Sequence, residues 1–269
     1  MNDHFQREGI IFHYREGGRG IPFIFQHGIG GDVNQPFGVF KPPEGIRLLA
    51  FDFRAHGLTW PVGDPAKLTF DVFADDLIAF MDHLNIPKAL IGGISMGAGV
   101  ALNLALRHPN RVSGLVLSRP AWLDSPMSAV ALTLYAQVAK LLREHGPIEG
   151  KQIFMASDEY RKLQEVSPDA ARSMSGQFSS DKALDFVERL ERLPHEHSIR
   201  DLNEVTKIQV PTIIFATRQD PIHPFEFGQQ LGSKIPGAFF VEITPKSVSA
   251  EKHTHEFNEA LLEFLKKWE

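Results

Sequence analysis

Short, nearly continuous apolar runs alternate with amphipathic helical patterns along this chain, and this alternation leaves few folds open to it. The runs occupy residues 21–25, 47–51, 89–91, 114–117, 211–216 and 238–243. Helical spacing of apolar residues occurs at 71–85, 96–106, 225–235 and 250–268. Strands that are apolar on both faces belong to a parallel sheet covered by helices. The sequence therefore predicts an α/β fold with a doubly wound, mostly parallel sheet and right-handed crossovers.

Two segments depart from this alternation. Residues 4–14 alternate apolar and polar side chains before a glycine-rich turn, which predicts an antiparallel hairpin at one edge of the sheet. Between residues 122 and 207 no strand pattern occurs, and helical stretches follow one another instead, at 125–145, 151–166 and 181–193. We therefore predict a core domain of residues 1–121 and 208–269 and an inserted helical cap of residues 122–207. Such an insertion can cover the carboxyl ends of the strands, where open α/β sheets bind ligands.

Composition and charge exclude several classes of partner and cofactor. The 269 residues include no Cys, which excludes disulfides, thiolate metal sites and a Cys nucleophile and fits a cytoplasmic protein. The formal net charge is −5 and no basic run occurs, so a nucleic-acid partner is not expected. No apolar stretch approaches the ~18 residues of a membrane span, and no secretory signal is visible. No histidine cluster has metal-ligand spacing and no glycine-rich segment fits a nucleotide motif, so neither a metal nor a cofactor is expected.

The pentapeptide Gly93-Ile94-Ser95-Met96-Gly97 is the strongest chemical signal in the sequence. It directly follows a predicted strand and precedes a helix of mostly small residues, which is the context that the G-x-S-x-G pattern requires. The sharp turn exposes the serine hydroxyl at the top of the sheet, and the glycines allow strand and helix to approach closely. We therefore predict that Ser95 is a nucleophile. A serine that only caps a helix in a glycine-rich turn is the alternative.

Two backbone amides are candidates for stabilising an oxyanion. The Met96 N–H begins the helix after Ser95, where the positive end of the helix dipole favours a developing negative charge. The segment His-Gly-Ile-Gly-Gly at residues 27–31 follows another predicted strand and offers the Ile29 N–H as a second donor. A plain turn between strand and helix is the alternative for this segment. His27 is expected to hold the loop rather than to react.

A serine nucleophile needs a base, and the base needs an acid that orients it. Asp220 follows the buried run 211–216, so we expect its carboxylate at the carboxyl edge of the sheet, near Ser95. A turn-forming or helix-capping role is the alternative for Asp220.

Over essentially its whole length, the chain resembles the α/β-hydrolase family. The resemblance rests on the strand order, the His-Gly loop, the G-x-S-x-G elbow, the helical insertion, the late aspartate and a carboxyl-terminal histidine region. It implies the α/β-hydrolase fold, with Ser95 as nucleophile and Asp220 as the acid. It also implies that the backbone amides of Ile29 and Met96 form the oxyanion hole.

The position of the base departs from the family pattern. The family usually places its histidine a few residues after the last strand, but residues 245–247 are Pro-Lys-Ser here. His253 is the preferred base, because it shares the core-facing stripe of the last predicted helix. His255 is expected on the solvated side of that helix. His223 lies three residues after Asp220 and is expected to order that loop or to line the pocket. Both remain alternatives for the base.

These observations predict a cytoplasmic serine hydrolase that cleaves a small or medium carboxylic ester, thioester or lactone through an acyl-enzyme. A C–C bond hydrolase or a perhydrolase would use the same residues. A ligand-binding protein that keeps the pocket without turnover is an alternative from a different class. Trp122 follows a predicted strand end and is expected either to line the pocket or to pack beneath the cap. The sequence predicts a small-molecule substrate, but neither its identity nor the oligomeric state.

Overall fold

The computed structural model describes residues 3–268, and its central element is an eight-stranded sheet. The strands are β1 (His4–Arg7), β2 (Ile10–Gly18), β3 (Ile21–Gln26), β4 (Ile46–Phe51), β5 (Ala89–Ile94), β6 (Val112–Ser118), β7 (Thr212–Ala216) and β8 (Phe239–Glu242). Their spatial order is β1-β2-β4-β3-β5-β6-β7-β8. The pairs β1–β2 and β2–β4 are antiparallel, and all other neighbours are parallel. The predicted mostly parallel sheet, with an antiparallel hairpin at one edge, is confirmed.

Helices connect most of the parallel strands. The α-helices of the described residues are α1 (Asn34–Val39), α2 (Phe70–His83), α3 (Met96–Arg107), α4 (Ala129–Ala156), α5 (Asp158–Val166), α6 (Pro168–Gly176), α7 (Glu188–Arg192), α8 (Phe225–Lys234) and α9 (Ala250–Leu265). Short 3₁₀ turns occur at Pro65–Lys67, Pro109–Arg111, Leu193–His195, Leu202–Lys207 and Lys266–Trp268. Across residues 3–268, no helix has the length and apolar character needed to cross a membrane.

The helices bury two separate apolar layers, one on each face of the sheet. On one face, Phe73 and Leu77 of α2 belong to the same buried cluster as Ile91 of β5. On the other face, Phe257 and Leu261 of α9 belong to a second buried cluster, together with the strand side chains that point to that face. Full burial of each such side chain contributes about 1.5–3 kcal/mol, and these layers therefore hold the strand ends in fixed positions.

The segment between β6 and β7 contains four α-helices and no strand within the described residues, but its details differ from the prediction. The break predicted at Gly146 is a kink within α4, where Gly146 has a φ of 70°. Ser167 and Pro168, which lie outside the predicted helical stretches, begin α6: the Ser167 hydroxyl accepts from the Ala170 N–H, and Pro168 occupies the first turn. The domain boundaries at residues 122 and 207 remain predictions.

Four parallel strands end side by side at one edge of the sheet. In the register of the pairs, Gln26 of β3 lies opposite Gly93 of β5, and Ile94 of β5 lies opposite Ser118 of β6. Strand β7 follows next to β6 and ends at Ala216. The loops that leave these strands must therefore converge, which is where a doubly wound sheet places its ligand.

Candidate active site

Ser95 occupies a strained turn between β5 and α3. Its backbone has φ 55° and ψ −110°, a conformation that residues with a Cβ rarely adopt. The Ser95 N–H donates to the carbonyl of Ser118 at 2.8 Å, which ties the turn to the end of β6. A Cβ added at Gly93 would lie 2.6 Å from the Cα of Gly97, and one added at Gly97 would lie 2.6 Å from the carbonyl oxygen of Gln26. Both glycines are therefore required for the close approach of strand, turn and helix.

The hydroxyl of Ser95 is linked to Asp220 through His223. His223 Nε2 lies 2.9 Å from Ser95 Oγ, and His223 Nδ1 lies 2.8 Å from Asp220 Oδ2. Since Asp220 is ionised, Nδ1 carries the proton and donates to the carboxylate, which leaves Nε2 to accept from the serine hydroxyl. Of the three histidines considered from the sequence, His223 is the one that meets Ser95 and Asp220.

The loop after β7 fixes the aspartate and the histidine together. Asp220 Oδ1 accepts from the backbone N–H groups of Ile222 and His223 at 3.1 and 3.2 Å. Burial opposes ionisation of Asp220, but the contact with His223, aided by Arg119, lowers the pKa of its carboxyl group below the ordinary value. A carboxylate that stays ionised beside an imidazole favours the orientation and the tautomer that a general base requires.

His253 does not contact Ser95, so its prediction as the base is wrong for this structure. It lies on the buried side of α9, as expected, but its Nδ1–H donates to the carbonyl of Thr244 at 2.8 Å. Burial lowers the pKa of His253 to about 4. The helical stripe indicated correctly that the ring faces the sheet, but not which groups it meets there. His255 is exposed, as the helical stripe predicted, and its Nε2 lies 3.8 Å from Glu259 Oε2.

The two predicted oxyanion donors lie next to Ser95. Met96 directly follows Ser95 in the first turn of α3, and Ile29 lines the same cavity as Ser95. Within residues 3–268, neither N–H has a hydrogen-bond acceptor. The neighbouring Gly28 N–H is already used, because it donates to Gln35 Oε1 at 2.7 Å. The geometry leaves the Ile29 and Met96 amides available for a ligand oxygen.

The loop that carries Ile29 is held from both sides. The His27 Nδ1–H donates to the Gly28 carbonyl at 2.8 Å, and its Nε2 accepts from the Phe53 N–H at 3.1 Å. This agrees with the expectation that His27 holds the loop. From the segment between β6 and β7, Gln177 Nε2 donates to the Ile29 carbonyl at 3.4 Å. Gln177 Oε1 in turn accepts from the buried guanidinium of Arg189 at 3.2 Å.

Ser95 and its partners face a cavity of about 100 Å³. Its lining includes Gly28, Ile29, Ser95, Arg119, Tyr135, Asp169, Asp220, His223 and Lys246. Sequence reasoning missed Arg119 and Lys246, because neither belongs to a catalytic motif and only the meeting of distant loops brings them here. Across residues 3–268, no group of three or more His, Asp or Glu side chains is arranged to hold a metal ion.

Trp122 does not line this cavity. Its side chain is fully buried, its Nε1–H donates to the Leu193 carbonyl at 2.9 Å, and its ring packs edge-on against Phe70. A buried indole N–H requires an acceptor, and the Leu193 carbonyl provides it. The prediction of Trp122 as a substrate-binding residue is therefore wrong, and the alternative of packing beneath the insertion describes its surroundings.

Comparison with known proteins gives a consistent family assignment. Residues 21–246 match the family model described as alpha/beta hydrolase fold. The chain is 24% identical to 3-oxoadipate enol-lactonase 2 of Acinetobacter baylyi, over 96% of this chain and 99% of the relative. It is 26% identical to a 2-hydroxymuconate semialdehyde hydrolase of Pseudomonas putida, over 82% of this chain and 78% of the relative.

A solved structure shares the fold at lower sequence identity. The enol-lactonase from Burkholderia xenovorans LB400 superposes with a TM-score of 0.75 at 21% identity, covering 98% of this chain and all of the other. The family model spans most of the chain, and the sheet and the serine elbow agree with it. The chain therefore belongs to the alpha/beta hydrolase fold family.

Proposed function

We propose that this protein hydrolyses a carboxylic ester or a lactone through an acyl-enzyme formed on Ser95. The observation that carries the proposal is the chain of contacts Ser95–His223–Asp220, with distances of 2.9 and 2.8 Å. The names of relatives support the bond type, because one is a 3-oxoadipate enol-lactonase.

In the first half of the proposed reaction, Ser95 Oγ attacks the carbonyl carbon while His223 Nε2 takes the hydroxyl proton. The carbonyl oxygen becomes negatively charged and is stabilised by the N–H groups of Ile29 and Met96. Loss of one such donor typically raises the barrier by about 3–4 kcal/mol. As the C–O bond of the ester breaks, His223 returns the proton to the departing alkoxide. In a lactone that alkoxide stays attached to the acyl group.

In the second half, water replaces the alcohol. His223 removes a proton from the water, the hydroxide attacks the acyl carbon, and Ser95 leaves with the proton that His223 held. Asp220 remains ionised throughout and stabilises the imidazolium form of His223. The negative charge of Asp220 thus contributes most when His223 is positively charged, at the two proton-transfer steps.

A fluorophosphonate probe tests whether Ser95 is a nucleophile. The purified protein is incubated with the probe, and the modified peptide is identified by mass spectrometry. We expect a single modified residue, Ser95, and no modification in Ser95→Ala. The exposed Ser233 provides a matched control, since Ser233→Ala should label as fast as the wild type. A folded wild-type protein that neither labels at Ser95 nor cleaves any aryl ester or lactone would refute the proposal and favour a ligand-binding role.

A second candidate, hydrolysis of a C–C bond, is favoured by the relative whose named substrate is a semialdehyde rather than an ester. The same histidine–serine pair would serve it. Turnover of a panel of esters, lactones and ring-cleavage semialdehydes separates the candidates. If kcat/KM is larger for the semialdehydes than for every ester and lactone, C–C bond hydrolysis replaces ester or lactone hydrolysis as the assigned function.

A further inference from the structure

The catalytic cavity is lined by both positive and negative side chains. Its lining carries four charged side chains, which are Arg119, Asp169, Asp220 and Lys246. Arg119 Nη1 lies 3.4 Å from a carboxylate oxygen of Asp220 and 3.4 Å from one of Asp169. Both acids have a further partner: His223 for Asp220, and Arg172 at 3.6 Å for Asp169. The positive charges of Arg119 and Arg172 therefore balance the negative charges of the two acids.

Lys246 has no partner at contact distance. Within residues 3–268, its ammonium group makes no hydrogen bond and no ion pair, and it interacts with Asp169 and Asp220 only at longer range. The side chain is half-buried, and burial, aided by repulsion from Arg119, lowers the pKa of its ammonium group, although attraction to the more distant carboxylates of Asp169 and Asp220 opposes this shift. Partial burial reduces the hydration of a cation, so an ammonium group that has no acceptor in the protein gains more from binding an anion than a fully exposed one does.

The position of Lys246 in the chain explains how it reaches the cavity. It lies in the loop that follows β8, at the place where the family resemblance led us to expect a histidine. Since His223 supplies the imidazole from the loop after β7, the loop after β8 is free to present a different group. Lys246 also borders a small adjoining cavity with Ser118 and His253, so its flexible side chain has open space on two sides.

We propose that the substrate carries a carboxylate in addition to the bond that is cleaved, and that Lys246 Nζ binds it. The proposal rests on the proposed ester or lactone hydrolysis at Ser95 and specifies its substrate class. An ammonium group donates up to three hydrogen bonds and accepts none, so it distinguishes an anion from a neutral group of the same shape. Arg119, already shared between two acids, adds positive charge beside Lys246 but is not the primary contact.

A pair of matched esters tests the proposal. The 4-nitrophenyl monoester of glutaric acid carries a terminal carboxylate, and the 4-nitrophenyl ester of glutaramic acid carries a neutral amide in its place. In the wild type we expect kcat/KM to favour the acidic ester by about 10- to 100-fold, the factor expected for a hydrogen bond to a charged group. In Lys246→Met this ratio should fall to near one. The control Lys140→Met removes an exposed lysine of α4 and should keep the wild-type ratio.

A binding measurement separates failure of this proposal from failure of the proposed function. We expect calorimetry to show that glutarate binds to the Ser95→Ala variant. In the double variant with Ser95→Ala and Lys246→Met, the Kd for glutarate should be at least tenfold higher. Esters cleaved with no preference for the acid, or a ratio unchanged in Lys246→Met, would overturn the role of Lys246 while the hydrolase assignment stands. If neither ester is cleaved, the glutarate titration decides: equal Kd values with and without Lys246 would overturn the anion site independently of catalysis.

Discussion

Replacement of His223 by alanine provides the sharpest test of the site. His223 contacts both Ser95 Oγ and Asp220 Oδ2, so His223→Ala removes the group that we propose as the proton acceptor of Ser95. A positioned general base contributes about 10²–10⁴ in rate, which corresponds to about 2.7–5.5 kcal/mol of barrier. Asp220 keeps the Ile222 N–H and Arg119 as partners, so the fold is expected to tolerate the loss.

The matched variant is His253→Ala. His253 is buried and donates to the Thr244 carbonyl, so its loss should lower the free energy of unfolding by about 1–3 kcal/mol. It has no contact with Ser95, so kcat/KM should stay close to the wild-type value. His255→Ala, an exposed change on the same helix, should alter neither quantity.

The assay measures kcat/KM for a 4-nitrophenyl ester together with urea unfolding for each variant. The unfolding data correct the rates for the fraction of folded protein. A large loss of activity in folded His253→Ala, with activity retained in His223→Ala, would refute the geometric argument and restore the base predicted from the sequence.

Three further predictions follow from contacts described above. Asp220→Asn should lower kcat by about 10²–10⁴-fold in a stopped-flow or steady-state assay, because an amide does not stabilise the imidazolium. The folded-state pKa of Asp220 lies below its ordinary value, so its ionised form stabilises the fold above about pH 4, and this contribution is lost as pH falls. Acidification should therefore lower the free energy of unfolding of the wild type more than that of Asp220→Asn. Gly97→Ala should destabilise by about 1–3 kcal/mol in urea unfolding, because its Cβ meets backbone atoms, whereas Gly176→Ala, with nothing within 4 Å, should not destabilise. Trp122→Phe should lower the free energy of unfolding by about 0.5–1.5 kcal/mol, because the hydrogen bond to Leu193 is lost, and should leave KM unchanged. A raised KM would indicate that Trp122 contacts the substrate after all.

The features that sequence reasoning predicted correctly depend on neighbours in the chain. The elbow at Ser95 requires glycines two residues away, and the apolar runs form a sheet whatever their order in space. For Asp220, the preceding strand alone fixes the edge at which the carboxylate lies. Local pattern and tertiary contact agree at these positions.

The features that it missed depend on which distant groups meet. His253 and His223 both follow strands that end at the same edge, and the helical stripe indicates burial without indicating the partner. The spacing of three residues between Asp220 and His223 was the available signal, because a short turn brings two such side chains together. The cavity position of Lys246 had no local signal, since it depends on how the loop after β8 packs against β6 and the inserted helices.

Asp220 and His223 belong to one four-residue loop, closed by backbone donors to the carboxylate. Their mutual alignment is thus set by hydrogen bonds within the loop, so a displacement of the loop as a unit would preserve it. The packing of the whole protein then has to maintain one distance, the one between this loop and the turn that carries Ser95. Segments that follow β8 can consequently diverge or be redesigned for recognition without disturbing the contact between Asp220 and His223.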